Sequence, residues 1–198
     1  METKLILIRH GITDWNKQKK YCGFKNIGLN REGKIQALRL RKQLKSVKCD
    51  RVYSSDRRRA IQTARIIFRN PVITKVKKLR ELNFGVLEGL SYKEIMKKYP
   101  IAYKKWLADP NKNNIPKGES MCSFKKRVSI AFKKIVRINP DKTIAVVCHG
   151  GTISIFITKI LKSRGFWRYI PRPASISLVE YKKNKPTIKS FNNTTHLR

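Results

Sequence analysis

The chain has 198 residues, 40% of them hydrophobic, and carries 47 lysines and arginines against 12 acidic residues, a formal net charge of +35. This hydrophobic fraction suits one ordinary domain with a sizeable core, so the high charge does not by itself indicate disorder. No apolar run approaches a membrane span, and no basic head precedes an apolar signal core. We therefore expect a soluble cytoplasmic protein with no membrane partner.

The excess positive charge would attract phosphorylated metabolites, nucleic acid or acidic proteins. Lysines are spread along the whole chain, which favours a general compositional bias over a dedicated patch. Nucleic acid is the weaker hypothesis, because the sequence has no Cys–His finger spacing and no aromatic–basic recognition motif. Four cysteines lack zinc or redox spacing and are predicted to be free thiols: Cys22, Cys49, Cys122 and Cys148.

Short strands alternate with helices in the first part of the chain. The apolar run Leu5–Ile8 predicts a buried strand. Asn30 is the predicted N-cap of a helix that runs to about residue 47. We expect this helix to turn three apolar side chains toward the core, namely Ile35, Leu38 and Leu44. A strand at residues 51–55, a helix at 58–68 and a third strand around 72–76 follow.

Residues 85–118 have a different pattern, because short amphipathic pieces stand between proline and glycine breakers. We interpret this segment as a small helical insertion within one domain that spans residues 1–198. Beyond it, regular elements return. The pattern predicts a long helix over 119–138, a strand over 143–148, a helix over 151–161, and a final hairpin of residues 175–181 and 187–191.

The alternation of strands and helices predicts an α/β fold, a three-layer α/β/α sandwich with a mostly parallel central sheet. In such folds ligands bind beyond the carboxyl ends of the strands. Charged or titratable residues follow each of the first four predicted strands. They are Arg9 and His10 after the first, the arginines of SSDRRRAIQTA after the second, Glu81 after the third and His149 after the fourth.

Two of the three histidines, His10 and His149, follow apolar strands and precede glycine. Either alone is as readily structural as functional, but the pair favours function. Glycines such as Gly150 let backbone N–H groups approach an anion closely. A neutral imidazole is a competent nucleophile toward phosphorus, and arginine forks suit phosphate oxygens. The sequence therefore predicts a phosphate site.

Acidic residues are scarce, so three of them are candidates for a general acid: Asp56, Glu81 and Glu88. Each is equally compatible with a plain salt bridge, and the residues alone do not choose among them. The chain has no aspartate pair after a strand, no H-E-x-x-H and no P-loop, so we expect neither a metal nor another cofactor.

Six segments together resemble the histidine phosphatase superfamily, namely LIRHGITDWN, SSDRRRAIQTA, LRELNFGVLEG, PKGES, VVCHGGT and NNTTHL. The resemblance runs from residue 4 to residue 197. It implies that His10 is a nucleophile that becomes phosphohistidine, and that Arg9, Arg59 and His149 form the phosphate pocket. It also implies that Glu81, three residues before the F-G pair, donates and accepts the proton.

The same resemblance implies three contacts with the phosphate or substrate, at Asn16, Cys22 and Gly23. Cys22 stands where threonine or serine is common in the family, so one hydroxyl contact is replaced. Arg57 stands where leucine is usual.

The stretch ELNFGVLEGLSYKEI is similar to the phosphatase branch, especially α-ribazole phosphatase-like and broad-specificity members. This implies metal-independent hydrolysis of a small phosphorylated metabolite, such as α-ribazole 5'-phosphate or a sugar or glycerate phosphate. Residues 85–118 would form a lid that selects the substrate. Four of its lysines are candidates for holding a second anionic group: Lys104, Lys105, Lys112 and Lys117.

Two alternatives stay open. One is a 2,3-bisphosphoglycerate-dependent phosphoglycerate mutase, and the other is a non-catalytic basic binding protein on the same fold. The complete set of His10, Arg59, Glu81 and His149 argues against the second. The sequence leaves monomer and homodimer equally open.

Overall fold

The computed structural model describes residues 2–69, 71–163 and 165–198. Six strands form one sheet. They are β1 (Glu2–Arg9), β2 (Arg51–Ser54), β3 (Ile73–Lys75), β4 (Thr143–Cys148), β5 (Ile176–Lys182) and β6 (Lys185–Asn193), in the spatial order β3-β2-β4-β1-β5-β6. The first four strands run parallel, whereas β5 pairs antiparallel with β1, and β6 pairs antiparallel with β5 at the edge of the sheet. The predicted α/β fold with a mostly parallel sheet is confirmed.

In the described residues, seven α-helices accompany the sheet: α1 (Asp14–Lys17), α2 (Arg31–Gln43), α3 (Arg58–Phe68), α4 (Tyr92–Lys98), α5 (Pro100–Ala108), α6 (Met121–Arg137) and α7 (Gly150–Ile160). Their starts follow from local chemistry. The Asn30 side chain accepts a hydrogen bond from the Gly33 N–H group at 2.9 Å and so caps α2. Ser120 caps α6 in the same way, since a side-chain oxygen there satisfies an amide that has no partner within the helix.

The strands bury alternate side chains against helices on both faces of the sheet. In β1, Leu5 and Leu7 belong to the core under α6 and α7, whereas Ile6 and Ile8 belong to the core under α2 and α3. Successive side chains of a strand point to opposite faces, so a continuous apolar run is what a strand covered on both sides requires. The predicted three-layer arrangement is therefore present.

The predicted orientation of α2 is wrong at two positions. Ile35 and Leu38 are 44% and 41% exposed, whereas Ala37 and Leu40 are fully buried. Gly33 explains this choice, because a Cβ atom there would lie 2.1 Å from the Ile12 carbonyl oxygen. Close backbone contact on the small-residue side selects the buried face of α2 against the larger apolar side chains. Leu44 is partly buried against the core, as expected.

Residues 85–118 contain α4 and α5 and pack on the core under α6 and α7. Ile95, Trp106 and Ile115 are almost completely buried there. A ring cluster connects this segment to the rest of the molecule, with Trp106 5.4 Å from Trp167 and 6.5 Å from Tyr21 between ring centroids. The segment is helical, and its being an insertion that acts as a lid stays a prediction.

Within the described ranges, none of the helices combines the length and apolar character needed to cross a membrane.

Candidate active site

A cleft of about 350 Å³ opens at the carboxyl ends of the parallel strands. Its walls include six of the predicted site residues: Arg9, His10, Asn16, Cys22, Glu81 and Gly150. Arg59 and His149 lie fully buried beside His10 and do not line the cleft. A larger cavity of about 570 Å³ lies near the other end of the strands, around Thr3 and Asp141. It holds none of the predicted site residues.

His10 follows β1 and is 4% exposed. Its Nδ1 atom lies 2.8 Å from the Gly11 carbonyl oxygen, and its Nε2 atom lies 3.2 Å from Nε of Arg59. A carbonyl oxygen only accepts, so Nδ1 carries the proton and Nε2 keeps its lone pair. The imidazole is therefore oriented so that its Nε2 lone pair accepts a hydrogen bond from the Arg59 Nε–H group.

Arg59 lies in the first turn of α3 and its side chain is fully buried. Its terminal nitrogens donate to the carbonyl oxygens of Gly23 and Lys25, at 2.8 and 2.9 Å. Thr63 ties this helix to the nucleophile loop, since its hydroxyl donates to the Arg59 carbonyl and accepts from the Gly11 N–H group. Arg59 thus holds the loop over residues 22–25 while its Nε faces His10.

His149 is the N-cap residue of α7, and its ring centroid lies 5.2 Å from that of His10. Its Nε2 atom is 2.8 Å from the Ser55 hydroxyl. Within the part of the chain that the structure describes, Nδ1 of His149 and Nε of Arg9 are buried without a hydrogen-bond partner. Burying such atoms unpaired is unfavourable, and a bound polar group would remove that cost.

Both site histidines are held neutral. Burial, reinforced by the positive charge of Arg59, lowers the pKa of His10 well below its ordinary value. Burial, with Arg59 next in size, does the same to the pKa of His149. A charged imidazole would be desolvated and repelled at this location, so the uncharged form predominates.

Of the three acidic candidates, Glu81 is the one that lines the cleft. Its carboxylate accepts hydrogen bonds from the Leu82 N–H group at 2.9 Å and the Gly151 N–H group at 2.7 Å. A Cβ atom at Gly151 would lie 2.3 Å from this carboxylate. The second glycine after His149 therefore leaves room for Glu81.

The other two acidic candidates lie outside the cleft walls. Asp56 pairs with Arg57 and Arg80. Burial disfavours the Asp56 carboxylate, but hydrogen bonds from Arg80 and Arg57 outweigh it and hold the Asp56 pKa below its usual range. Glu88 accepts from the N–H groups of Phe24 and Lys25 at 2.5 and 2.7 Å and so fixes that loop.

The three contacts implied by the resemblance, and the predicted anion-approaching glycine Gly150, lie at or next to the cleft. The Asn16 side-chain oxygen accepts from the Thr13 N–H group at 3.0 Å, within the N-cap of α1. Burial raises the pKa of the Cys22 thiol, so it lines the wall uncharged. Gly23 contacts Arg59 through its carbonyl, and a Cβ atom there would lie 1.9 Å from the Leu82 carbonyl oxygen.

The prediction that insertion lysines face the substrate is not supported, because none of the four lines the cleft. Lys104, Lys105, Lys112 and Lys117 all have exposed side chains. The first two are exposed because α5 turns Tyr103 and Trp106 inward, and the other two lie beyond this helix. Sequence reasoning missed two groups of cleft residues, namely Lys19, Lys20 and Tyr21 on one side and Phe84, Phe166, Trp167 and Ile170 on the other. The first group was detectable, because it lies between Asn16 and Cys22.

No group of three or more histidine, cysteine or acidic side chains is arranged to hold a metal ion within residues 2–69, 71–163 and 165–198. Positive charge at the cleft comes instead from arginine and lysine side chains.

Fold and cleft together define a class of protein: an α/β sandwich with a cleft at the carboxyl ends of its parallel strands, where two buried histidines lie side by side. The sequence profile of the histidine phosphatase superfamily (branch 1) matches residues 5–194, so the chain belongs to this family. The predicted family and enzyme class, a phosphatase and hence a hydrolase, are confirmed.

Among sequence relatives, phosphoserine phosphatase 1 of Hydrogenobacter thermophilus is 30% identical, over 98% of this chain and 94% of that protein. A 2,3-bisphosphoglycerate-dependent phosphoglycerate mutase of Buchnera aphidicola is 29% identical, over 96% of this chain and 94% of the mutase. Both activities considered from the sequence therefore occur among the relatives.

Among solved structures, a phosphoserine phosphatase of Entamoeba histolytica in complex with 3-phosphoglyceric acid is 32% identical with a TM-score of 0.88, covering 99% of this chain and all of that one. The α-ribazole phosphatase of Shigella flexneri is 26% identical with a TM-score of 0.90, covering 96% of each chain.

Proposed function

We propose that this protein is a metal-independent phosphomonoesterase that transfers the phosphoryl group of a small metabolite to His10 and then to water. The observation that carries the proposal is the juxtaposition at His10. Its Nε2 lone pair faces Arg59, and the same cleft holds Arg9 and Glu81. A nucleophile, cationic groups and a carboxyl at one strand edge are the components that phosphoryl transfer to a histidine needs.

In the first step, Nε2 of His10 attacks phosphorus, and Glu81 delivers a proton to the leaving oxygen as the phosphorus–oxygen bond breaks. The lowered pKa of His10 keeps its lone pair available near neutral pH. Arg9, Arg59 and His149 stabilise the negative charge on the equatorial oxygens, the dominant contribution in phosphoryl transfer.

In the second step, Glu81 removes a proton from a water molecule that attacks the phosphohistidine. Phosphate then leaves and the neutral imidazole is restored. Gly151 and Leu82 support Glu81 by donating backbone hydrogen bonds to its carboxylate, so the same group is placed for both proton transfers.

The substrate is a small phosphomonoester, for which phosphoserine is the first candidate. Support comes from the relatives named phosphoserine phosphatases, in sequence and in structure. α-Ribazole 5'-phosphate, the earlier expectation, stays a candidate through the similar Shigella flexneri structure.

The test is phosphate release from a metabolite panel, together with trapping of the phosphoenzyme. We expect turnover and a base-stable, acid-labile phosphoryl label on His10. His10→Ala should lose both, by a factor of at least about a thousand in rate. His149→Ala keeps the nucleophile and should still take up label on His10, more slowly.

A coupled assay with 3-phosphoglycerate, with and without 2,3-bisphosphoglycerate, separates hydrolysis from isomerisation. Isomerisation that far exceeds phosphate release would replace our proposal with a mutase. Unchanged hydrolysis by His10→Ala would remove the catalytic assignment altogether.

A further inference from the structure

Two lysines line the cleft beyond the groups that the proposed reaction uses. Lys19 is exposed, Lys20 is half-buried, and both contribute to the cleft wall. In the described part of the chain, neither makes a salt bridge. Their charges are therefore available to a molecule in the cleft.

The backbone holds both lysines in place before any ligand arrives. Lys19 has a φ of 53°, in the left-handed region, where it ends the turn after α1. The Lys20 N–H group donates to the Trp15 carbonyl at 2.8 Å, and Lys20 forms an isolated bridge with Ser91. The main chain of both lysines is thus ordered before an anion binds, so binding has to order only their side chains.

The charges in the cleft exceed what a phosphate needs. When Glu81 carries the proton for the leaving group, its carboxyl is neutral, and Arg9, Lys19 and Lys20 remain as positive wall residues. Arg59, buried beside His10, adds a fourth positive charge, so a phosphate dianion matches two of the four. Glu94 offsets part of the Lys20 charge, and a carboxylate on the substrate would match the positive charge that remains at the two lysines.

We propose that Lys19 and Lys20 form a subsite for a carboxylate carried by the phosphorylated substrate. This inference rests on the proposed function and names the substrate class, a small phosphorylated carboxylic acid. The aromatic wall of Tyr21, Phe84 and Trp167 confines its short carbon chain.

A matched pair of substrates tests the subsite, since phosphoethanolamine is phosphoserine without the carboxylate. We expect kcat/KM of the unmodified enzyme to be at least about tenfold higher for phosphoserine. Lys19→Met/Lys20→Met should abolish this preference, chiefly through KM. Lys104→Met removes an exposed lysine of α5 and should keep the preference.

Each outcome decides one proposal. If p-nitrophenyl phosphate is hydrolysed but phosphoserine and phosphoethanolamine are equal, the subsite is wrong and the phosphatase stands. An unchanged preference in the double variant also overturns the subsite. If none of the three is hydrolysed and His10 takes up no label, the proposed function fails and the subsite falls with it.

A separate observation concerns the PKGES motif, which the reaction leaves without a role. Glu119 of this motif and Arg127 of α6 form a bidentate ion pair, with N···O distances of 2.6 and 2.7 Å. The rest of the Arg127 guanidinium donates to three backbone carbonyls, those of Lys78, Arg80 and Glu81, at 2.7 to 2.9 Å.

Glu119 also holds the backbone on the far side of Glu81, because its N–H group donates to the Asn83 carbonyl at 2.9 Å. The pair therefore holds the backbone on both sides of Glu81, while the Glu81 side chain reaches Gly151. We infer that Glu119 and Arg127 are positioning residues for the proton-transfer group. The planar fork of arginine is needed, because lysine cannot address a carboxylate and three carbonyls together.

Leaving-group dependence tests this role, because serine leaves as a strongly basic oxygen and p-nitrophenol does not. Arg127→Lys and Arg127→Met should lower kcat/KM for phosphoserine at least about tenfold. They should lower it much less for p-nitrophenyl phosphate, which needs little protonation. Glu81→Gln should give the same pattern. A general structural defect would instead reduce both substrates equally.

A double-mutant cycle supplies the second measurement. In a Glu81→Gln background, Arg127→Met should cost little further phosphoserine activity, because the positioned group is already gone. Full additivity of the two losses, or equal losses on both substrates, would overturn the positioning role. As a control, circular dichroism and thermal unfolding test whether each variant is folded.

Discussion

Two neighbouring regions of this molecule are ordered by different means. At the strand ends, polar groups are buried and tied to backbone atoms, with Arg59 fully buried and His10 4% exposed. The second region is the aromatic cluster, which is ordered by contacts between the rings of Tyr21, Phe84, Tyr103, Trp106 and Trp167. In the first region hydrogen bonds position individual side-chain atoms, whereas in the second the packing of rings determines the shape of a surface. We propose that catalysis takes place in the first region and that the second shapes the space for the substrate.

The largest expected effect falls in the aromatic cluster. Trp106 is 1% exposed and contacts four other rings of the cluster. Trp106→Ala should lower the free energy of unfolding by about 3–5 kcal/mol through lost burial and a cavity. Urea denaturation measures it, with Trp106→Phe as the milder control. A loss below about 1 kcal/mol would mean that the rings are not tightly packed.

Acid should act on the strand ends and spare the aromatic cluster. His10 and His149 have pKa values far below their ordinary 6.5 in the folded chain. Below about pH 6.5 the unfolded chain therefore binds protons that the folded chain does not. The free energy of unfolding decreases as the pH is lowered through this range. The expected slope is about 1.4 kcal/mol per pH unit for each histidine.

Denaturation between pH 5 and pH 7.5 checks this slope. His149→Gln should flatten it by about one histidine's share, whereas Trp106→Phe should leave it unchanged. A flat profile for the unmodified chain would show that these histidines titrate normally.

Removing one hydroxyl from each region sharpens the comparison. Thr63 is fully buried, and its hydroxyl bonds both the Gly11 N–H group and the Arg59 carbonyl. Thr63→Val keeps the shape but leaves the Gly11 N–H group unpaired, so we expect a loss of about 1–3 kcal/mol. Thermal unfolding reports this loss, and phosphatase activity should fall with it because Gly11 adjoins His10.

The smallest expected effect is Tyr103→Phe, which removes the 2.8 Å hydrogen bond between the Tyr103 and Tyr21 hydroxyls. The ring packing remains, so stability should change by about 0.5–1.5 kcal/mol. If this loss exceeds that of Thr63→Val in the same thermal assay, hydrogen bonding rather than ring packing would order the aromatic cluster.

Sequence predicted the strand-end region well because its signals are local. Two short apolar runs end next to site residues, His10 in the cleft wall and His149 buried beside it. The choice of Glu81 over Asp56 and Glu88 came from family resemblance. Beyond Tyr21, the aromatic wall was not predictable in this way. Tyr21 adjoins Cys22 in the sequence, but Phe84 and Trp167 come from distant segments, and only tertiary packing brings them to the same surface.

The misplaced side chains have the same physical origin. Ile35 and Leu38 are apolar, yet α2 buries its glycine and alanine side, because the helix contacts backbone across that face. Likewise, nothing in the sequence around Lys104 and Lys105 indicates which side of α5 will face the core. Hydropathy predicts which side chains are favourable to bury, but close backbone contact at Gly33 determines which face of α2 is buried.

The place of β1 in the sheet has a consequence for the order in which the protein forms. β1 lies between β4 and β5, with Arg9 paired to Cys148 and Ile8 paired to Ile176. Its neighbours are thus segments made long after it, and contacts of such wide sequence separation form slowly. During synthesis, His10 emerges early but gains its surroundings only after residue 182 has left the ribosome. The exposed apolar strand that carries it must stay unaggregated until then.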